Sequence, residues 1–250
     1  MSESAAPALE VRDLSVRFGG LTALDRVSLS VHAGARHGIL GPNGSGKTTL
    51  FNAVSGFVRP RSGRVVLAGR DVTGLAVHRR ARLGLARTFQ ITSLFPSLSA
   101  RENVAMAALV QAGADRDAWR PARDHGAANE RSAALLGDLG LGRLADRPVG
   151  SLGYGEQRQL EIAVALALEP RLLLLDEPTA GLSAAETGSL VGLVERLPAD
   201  LSVVLIEHDL GVVFGLTDRL SVLQNGVLIA DGPTADIRDD PLVKDVYLGR

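Results

Sequence analysis

The sequence contains no cysteine, which excludes a disulfide framework, a thiol nucleophile and a cysteine-ligated metal. Aromatic residues make up only 4% of the chain, and lysine occurs only at Lys47 and Lys244. The formal net charge is −1, whereas nucleic-acid-binding proteins usually carry a basic excess or a basic stripe. We therefore expect no nucleic-acid partner.

Long apolar runs are also missing. The longest, such as residues 162–168, fall far short of the roughly 18 residues that a membrane span needs. Residues 1–7 have neither the basic nor the apolar region of a signal peptide. We expect a soluble, intracellular chain, unless a partner holds it at a membrane.

The most informative stretch is residues 41–48, which read G-P-N-G-S-G-K-T and form a complete G-x-x-x-x-G-K-T phosphate loop. A strand-like segment, residues 37–40, leads into it, and a helix-like run follows it. Glycines let successive N–H groups point at phosphate oxygens, and the helix N-terminus attracts the same anion. Lys47 supplies a compact charge for the β- and γ-phosphates, and the Thr48 hydroxyl can ligate Mg²⁺.

A second strong signal is the apolar run at residues 172–175, which is followed directly by Asp176 and Glu177. Such a run is typical of a buried parallel strand, and open α/β sheets bind ligands at the carboxyl ends of their strands. Adjacent strand residues point to opposite sides, so the two carboxylates can have different tasks. Asp176 can belong to the Mg²⁺ shell, and Glu177 can polarise a water.

Further strands are predicted at residues 9–18, 27–31, 63–69, 85–90 and 201–206, and as a hairpin at 219–224 and 227–231. Asn225-Gly226 between the last two is a strong signal for a two-residue turn. Gln90 ends one of these strands and His208 follows another; a glutamine there is usually just a polar strand end, and a lone histidine is more often structural than catalytic. Phe18 is open to two interpretations, a core side chain or a platform that stacks on a purine.

Residues 91–150 have a helical pattern. Ser99 and Glu102 predict a capping box ahead of a helix at 103–111. Residues 113–129 are polar and predict a loop or a mobile helix end, and residues 130–139 predict another helix. A glycine-bearing segment at 151–158 then opens a helix that runs to residue 168, and its N-terminus is a potential second anion site. A charged helical tail is predicted from residue 233.

Together these residues resemble the ATP-binding subunit of ABC transporters over nearly the whole chain. The matching elements are the adenine-stacking aromatic Phe18, Walker A at 41–48, the Q-loop glutamine Gln90, the signature sequence at 152–157, Walker B at 172–177 and the switch histidine His208. Within the family, the chain looks most like the ATPase subunits of branched-chain amino acid importers. The stretches that support this are residues 86–90, Tyr154 in the signature, and residues 160–163, 206–209 and 247–249.

The resemblance implies an α/β fold with a RecA-like phosphate-loop core sheet, an antiparallel β portion and an inserted helical subdomain. Residues 1–250 would form a single ABC ATP-binding domain, with a catalytic core at 1–90 and 160–250 and a helical subdomain at 91–159.

ATP and Mg²⁺ are the ligands that the resemblance implies. Glu177 and His208 would be catalytic, and Thr48, Gln90 and Asp176 would hold the metal. The implied nucleotide-binding residues are Phe18, Gly41, Asn43, Gly44, Ser45, Gly46, Lys47, Thr48, Thr49, Gln90, Leu152, Gly153, Tyr154, Gly155, Glu156 and Ser183.

The implied function is ATP hydrolysis that energises uptake of a small polar solute such as a branched-chain amino acid. The implied partners are a second ABC ATPase subunit in a head-to-tail dimer, expected to be a heterodimer, and two membrane permease subunits. An extracytoplasmic solute-binding protein would act indirectly. The chain would lie peripherally on the cytoplasmic face of the inner membrane.

Two positions depart from the family pattern. Gly153 stands where the signature usually has serine, and Ser183 stands where the loop after Walker B usually has aspartate. The resemblance implies that the usual serine hydroxyl contacts the γ-phosphate bound on the opposite subunit, and the two departures together concern side-chain contacts and coupling across the dimer. Three alternatives stay open: an exporter ATPase, an ABC ATPase of translation or DNA repair, and a nucleotide-gated subunit with little hydrolysis.

Overall fold

The computed structural model of the protein describes residues 6–88, 94–113 and 126–248, with side chains to residue 245. The described residues divide into two compact units. The first comprises residues 6–87, 171–177 and 199–248, and the second comprises the remaining described residues up to 198. The sequence-based boundaries at residues 91 and 159 differ from this division and remain a prediction.

All strands of the described chain belong to the first unit. They are β1 Leu9–Phe18, β2 Leu21–Val31, β3 Arg36–Leu40, β4 Ser62–Leu67, β5 Arg70–Asp71, β6 Leu85–Arg87, β7 Leu172–Asp176, β8 Ser202–Ile206, β9 Arg219–Gln224 and β10 Val227–Pro233.

The described helices are α1 Lys47–Ser55, α2 Val77–Ala81, α3 Ala100–Gln111, α4 Gly126–Asp138, α5 Tyr154–Leu166, α6 Ala184–Glu195, α7 Leu210–Leu216, α8 Thr234–Asp239 and α9 Pro241–Leu248. Helices α3 to α6 belong to the second unit. Among the described residues, no helix combines the length and the apolar character needed to cross a membrane.

The first unit contains two sheets. A six-stranded sheet has the order β10-β9-β3-β8-β7-β6, and it is parallel except for β10, which pairs antiparallel with β9. A four-stranded antiparallel sheet has the order β2-β1-β4-β5. Helix α1 lies between them, because Phe51 and its neighbours pack in one core with Leu9 of β1 and Leu174 of β7. The predicted α/β fold with an antiparallel β portion is confirmed.

The second unit is helical. Helix α3 packs on α4 and α5, and α5 packs on α6. The predicted capping box starts α3: the Ser99 hydroxyl accepts from the Glu102 N–H, and the Glu102 carboxylate accepts from the Ser99 N–H. Helix α4 begins at Gly126, four residues before the predicted start at residue 130, so the last four residues of the predicted loop or mobile helix end are helical. Residues 126–129 gave no helix signal because they combine glycine and asparagine with only two alanines.

Candidate functional site

The phosphate loop connects β3 to α1. Strand β3 ends at Leu40 in the middle of the sheet, and α1 begins at Lys47, so the loop opens at the carboxyl edge of the parallel strands. Gly46 precedes the helix with φ 108°, and a Cβ there would lie 2.7 Å from the Ala23 carbonyl oxygen. Only glycine fits this position, and the tight turn leaves the first N–H groups of α1 directed at the loop.

The Lys47 side chain turns back toward the residues that begin the phosphate loop. Its Nζ donates to the carbonyl oxygen of Gly41 at 2.6 Å and to that of Pro42 at 3.1 Å. Burial lowers the pKa of Lys47 from its usual value, and the carboxylates of Glu177 and Asp176 partly oppose this shift. The loop therefore holds a nearly buried ammonium group against two carbonyl oxygens.

The turn between β9 and β10 supports the phosphate loop from outside the motif. The Gly226 N–H donates to the Ser45 carbonyl oxygen at 2.9 Å, and the Asp25 N–H donates to the Gly226 carbonyl oxygen at 2.8 Å. Asn225 and Gly226 both have positive φ, 48° and 78°, as the predicted two-residue turn requires. Sequence reasoning found the turn but not its contact with the loop, because no local pattern records so distant a pairing.

A cleft of about 400 Å³ opens beside this loop. Its lining residues are Phe18, Leu21, Thr22, Ala23, Asn43, Gly44, Ser45, Gly46, Lys47, Thr48, Thr49, Glu177, Asn225 and Gly226. Phe18 ends β1 with its ring half exposed, and it faces the cleft rather than the core. The cleft thus brings one aromatic side chain, the phosphate loop and one carboxylate together.

The two carboxylates at the end of β7 have different surroundings. The Asp176 side chain is only 2% exposed; its Oδ2 accepts from Arg87 Nη2 at 2.7 Å. Its Oδ1 is buried and has no hydrogen-bond partner. Glu177 lines the cleft, and its backbone has φ 47°, a conformation that costs energy for a residue other than glycine. Its N–H donates to the Ile206 carbonyl oxygen at 2.9 Å, which holds this conformation at the end of β8.

His208 follows β8 but does not line the cleft. Its side chain is 63% exposed, and Nδ1 lies 3.4 Å from Oε2 of the buried Glu207. The backbone N–H of His208 also donates to Glu207 Oε2, at 3.0 Å. Gln90, the other residue predicted at a strand end, lies outside the described residues.

The segment at 152–156 forms the start of α5 in the second unit. Leu152 is buried, Gly153 occupies the N-cap, and the Glu156 carboxylate accepts from the Gly153 N–H at 3.1 Å. A Cβ on Gly153 would meet no atom within 4 Å, and its φ of −65° suits any residue. The glycine is therefore not required by the local fold. Tyr154 is partly exposed, with its hydroxyl accepting from Arg158 Nε at 3.0 Å.

Ser183 begins α6, and its hydroxyl and N–H both contact the Glu186 carboxylate, at 2.7 and 2.9 Å. The same carboxylate accepts from the Gly155 N–H at 3.3 Å. A Cβ on Gly155 would lie 2.7 Å from Glu186 Oε1, so a larger residue at this position would displace the Glu186 side chain. Glu186 therefore links the start of α6 to the start of α5. Its spacing from Ser183 is a capping-box signal that sequence reasoning did not use.

Residues 24–180, more than half of the chain, match the family described as ABC transporter. The chain belongs to the ABC transporter family. It is an ATPase of that family, and the motifs recognised in its sequence are those of an ATP-binding subunit.

Relatives of this ABC ATPase match it over nearly its full length. The branched-chain amino acid transport ATP-binding protein BraF of Pseudomonas aeruginosa is 41% identical, over 97% of this chain and 98% of that protein. LivG of Escherichia coli, of the same description, is 38% identical over 97% and 98%. The lipopolysaccharide export ATP-binding protein LptB of Acidithiobacillus ferridurans is 38% identical over 96% of each chain.

Solved structures of ABC ATP-binding cassettes have the same fold. One, in its ADP conformation, superposes with a TM-score of 0.86 at 31% identity, over 98% of this chain and 99% of that one. A nucleotide-free cassette also gives a TM-score of 0.86, at 30% identity, over 98% and 100%.

The residues of this ABC ATPase fit a nucleotide with a divalent cation. Ser45 Oγ, in the phosphate loop, and Asp176 Oδ1, at the end of β7, are both buried without a hydrogen-bond partner in the protein, whereas buried polar atoms usually have a partner, which water or a bound ligand can supply. No group of three acidic, histidine or cysteine side chains that could hold a metal occurs in the described part of the chain. The Asp176 carboxylate and the Thr48 hydroxyl are oxygens of the kind that hold Mg²⁺, which usually takes one or two protein oxygens together with water and substrate phosphates.

Proposed function

We propose that this chain hydrolyses ATP to energise uptake of a small polar solute, a branched-chain amino acid or a similar compound, by an ABC importer. The observation that carries the proposal is the similarity to BraF and LivG, which spans 97% of the chain. The cleft supports it by bringing the aromatic platform, the phosphate loop and Glu177 into one space.

In this proposal the cleft binds ATP with its adenine at Phe18 and its phosphates at the phosphate loop. Phe18 stacks on the adenine ring, because a flat aromatic face suits a purine without reading its edges. Backbone N–H groups of residues 43–49, which include the N-terminus of α1, donate to the phosphates. Lys47 moves its ammonium group from the carbonyl oxygens of Gly41 and Pro42 toward the β- and γ-phosphates.

Hydrolysis then requires mainly positioning and charge stabilisation. Glu177, held at the cleft by its backbone, orients the attacking water and accepts its proton. Thr48, Gln90 and Asp176 would hold Mg²⁺, which supplies neutralisation of the phosphate charge. His208 contacts the γ-phosphate side only after its exposed side chain turns from Glu207 toward the cleft.

The signature residues Leu152, Gly153, Tyr154, Gly155 and Glu156, with Ser183, serve the nucleotide of a second ATPase subunit. We propose a head-to-tail heterodimer, in which each signature closes over the other subunit's ATP. Two membrane permeases and, indirectly, an extracytoplasmic solute-binding protein complete the importer. The ATPase then works on the cytoplasmic face of the inner membrane.

Uptake measurements test this function. Cells that lack the gene should lose accumulation of labelled leucine, isoleucine or valine, and the intact gene should restore it. A gene carrying Glu177→Gln serves as the control, because it should express normally but restore no uptake. The similarity to LptB makes an exporter the second candidate. Unchanged uptake of these and other small polar solutes, together with altered surface lipopolysaccharide, would establish that alternative instead.

A further inference from the structure

Arg87, the last residue of β6, joins two elements of the site. Its Nη2 donates to Asp176 Oδ2 at 2.7 Å, and the two side chains are only 8% and 2% exposed. Its Nη1 donates in another direction, to Asn52 Oδ1 at 2.7 Å and to Ser55 Oγ at 3.3 Å, both on α1. The guanidinium carbon also lies 5.5 Å from the centre of the Phe51 ring.

The residues that Arg87 contacts on α1 share one helix face with Thr48. Positions 48, 52 and 55 follow the i, i+4, i+7 spacing that places side chains above one another on a helix. Thr48 and Asp176 are the described residues proposed to hold Mg²⁺, and they lie on different elements. Arg87 therefore connects the helix face of one to the carboxylate of the other.

The geometry of the pair also fixes the orientation of Asp176. With Oδ2 engaged by a rigid guanidinium, the carboxylate cannot rotate without breaking a buried ion pair. Its Oδ1 remains as the oxygen without a hydrogen-bond partner. A lysine at this position could neutralise the Asp176 charge. Its single ammonium group on a flexible side chain could not reproduce the planar guanidinium, which donates to β7 and to α1 at the same time.

We propose that Arg87 is a positioning residue for the Mg²⁺ site: it fixes the Asp176 carboxylate relative to the Thr48 face of α1. The inference rests on the proposed binding of ATP with Mg²⁺. It predicts that Arg87 contributes to the gain in ATP affinity that Mg²⁺ provides, and not to ATP affinity without metal.

Calorimetric ATP titrations with Mg²⁺ and with EDTA measure this gain as the Mg²⁺ ratio, which is the dissociation constant in EDTA divided by the dissociation constant with Mg²⁺. Residues that orient a metal ligand typically change metal affinity by tenfold to a hundredfold, so Arg87→Met should reduce the ratio by about tenfold or more. Affinity in EDTA should stay within about twofold, because the phosphate loop and Phe18 are unchanged. Arg87→Lys should give a ratio between that of the parent and that of Arg87→Met, since lysine keeps the positive charge but lacks the planar guanidinium that donates in two directions.

Arg80→Met is the matched control. Arg80 is also a buried arginine beside α1, but it donates to carbonyl oxygens, including those of Ala53 and Val54 at 2.7 and 2.6 Å. Its loss should lower the melting temperature and leave the Mg²⁺ ratio at the parental value. A general loosening of α1 would instead reduce the ratio in both variants.

The outcomes separate the inference from the proposed function. A parent protein that binds no ATP, or shows no gain with Mg²⁺, would contradict the proposed function itself. A parental gain that Arg87→Met or Arg87→Lys retains in full would overturn the positioning role. Should Arg87→Met fail to fold, Asn52→Ala removes one anchor of Arg87 and should reduce the ratio about threefold; an unchanged ratio there would also overturn the role.

Discussion

His37 gives this protein a calculable dependence of stability on pH. The residue lies on β3, four positions before Gly41, and its ring is 0% exposed. Nε2 lies 2.8 Å from Ser221 Oγ, whose hydroxyl donates to Asp231 Oδ1 at 2.6 Å, while Nδ1 is buried without a hydrogen-bond partner. Burial lowers the pKa of His37 from 6.5 to about 4, and Asp231 opposes this shift only in part.

As the pH falls from 6.5 toward 4, the unfolded chain takes up a proton at His37 before the folded protein does. The free energy of unfolding therefore falls across that window, and the contribution of His37 is complete above pH 6.5. With these two pKa values, linkage gives a loss of about 2 kcal/mol between pH 7.5 and pH 5, and about 3 kcal/mol below pH 4.

The measurement is urea denaturation at pH 7.5 and pH 5, for the parent and for His37→Gln. Glutamine keeps a side-chain N–H for Ser221 but does not titrate in this range. The parent should lose about 2 kcal/mol more than the variant between the two pH values. Equal losses in parent and His37→Gln would refute a neutral, buried His37.

Three further predictions concern the nucleotide. Lys47→Ala should abolish ATP binding at micromolar concentrations by calorimetry, whereas Lys244→Ala, at the exposed second lysine, should leave the affinity unchanged. Glu177→Gln should bind ATP normally and reduce phosphate release by about 10²–10⁴, and parental turnover would remove Glu177 from the mechanism. In the proposed dimer, Gly153→Ser should speed hydrolysis at the partner's ATP site by about tenfold, because it adds one hydrogen bond to a charged phosphate. The same substitution should change the free energy of unfolding by only a few tenths of a kcal/mol, as expected when serine replaces glycine at an N-cap. An unchanged hydrolysis rate would show that a water already replaces the serine hydroxyl.

The parts of the fold that local patterns encode were predictable. The apolar run of β7, the glycines before α1 and the Asn225-Gly226 turn each determine the conformation of their own few residues, and the structure has all three as predicted. Strand β2 begins at Leu21 rather than at Val27, because its pairing with β1 extends a segment whose own alternation is weak.

Contacts between distant residues were not predictable in the same way. Arg87 reads as an ordinary polar residue in a short strand, and only the parallel pairing of β6 with β7 brings it to Asp176. Glu186 reads as a helix cap, and its second contact, with Gly155, depends on how α5 and α6 pack. Tertiary packing determines which distant residues come into contact, and local sequence patterns do not reveal those contacts.

The support that Gly226 gives to the phosphate loop has a consequence for biosynthesis. Strand β3 lies between β8 and β9, so the strand that leads into the loop gains both neighbours only after residue 224 has been made. A nascent chain that has emerged through residue 177 already carries the lysine and both carboxylates, yet its Ser45 carbonyl still lacks the Gly226 N–H. The strand and the turn that flank the phosphate loop are therefore completed late in synthesis, after both sequence motifs of the nucleotide site have been made.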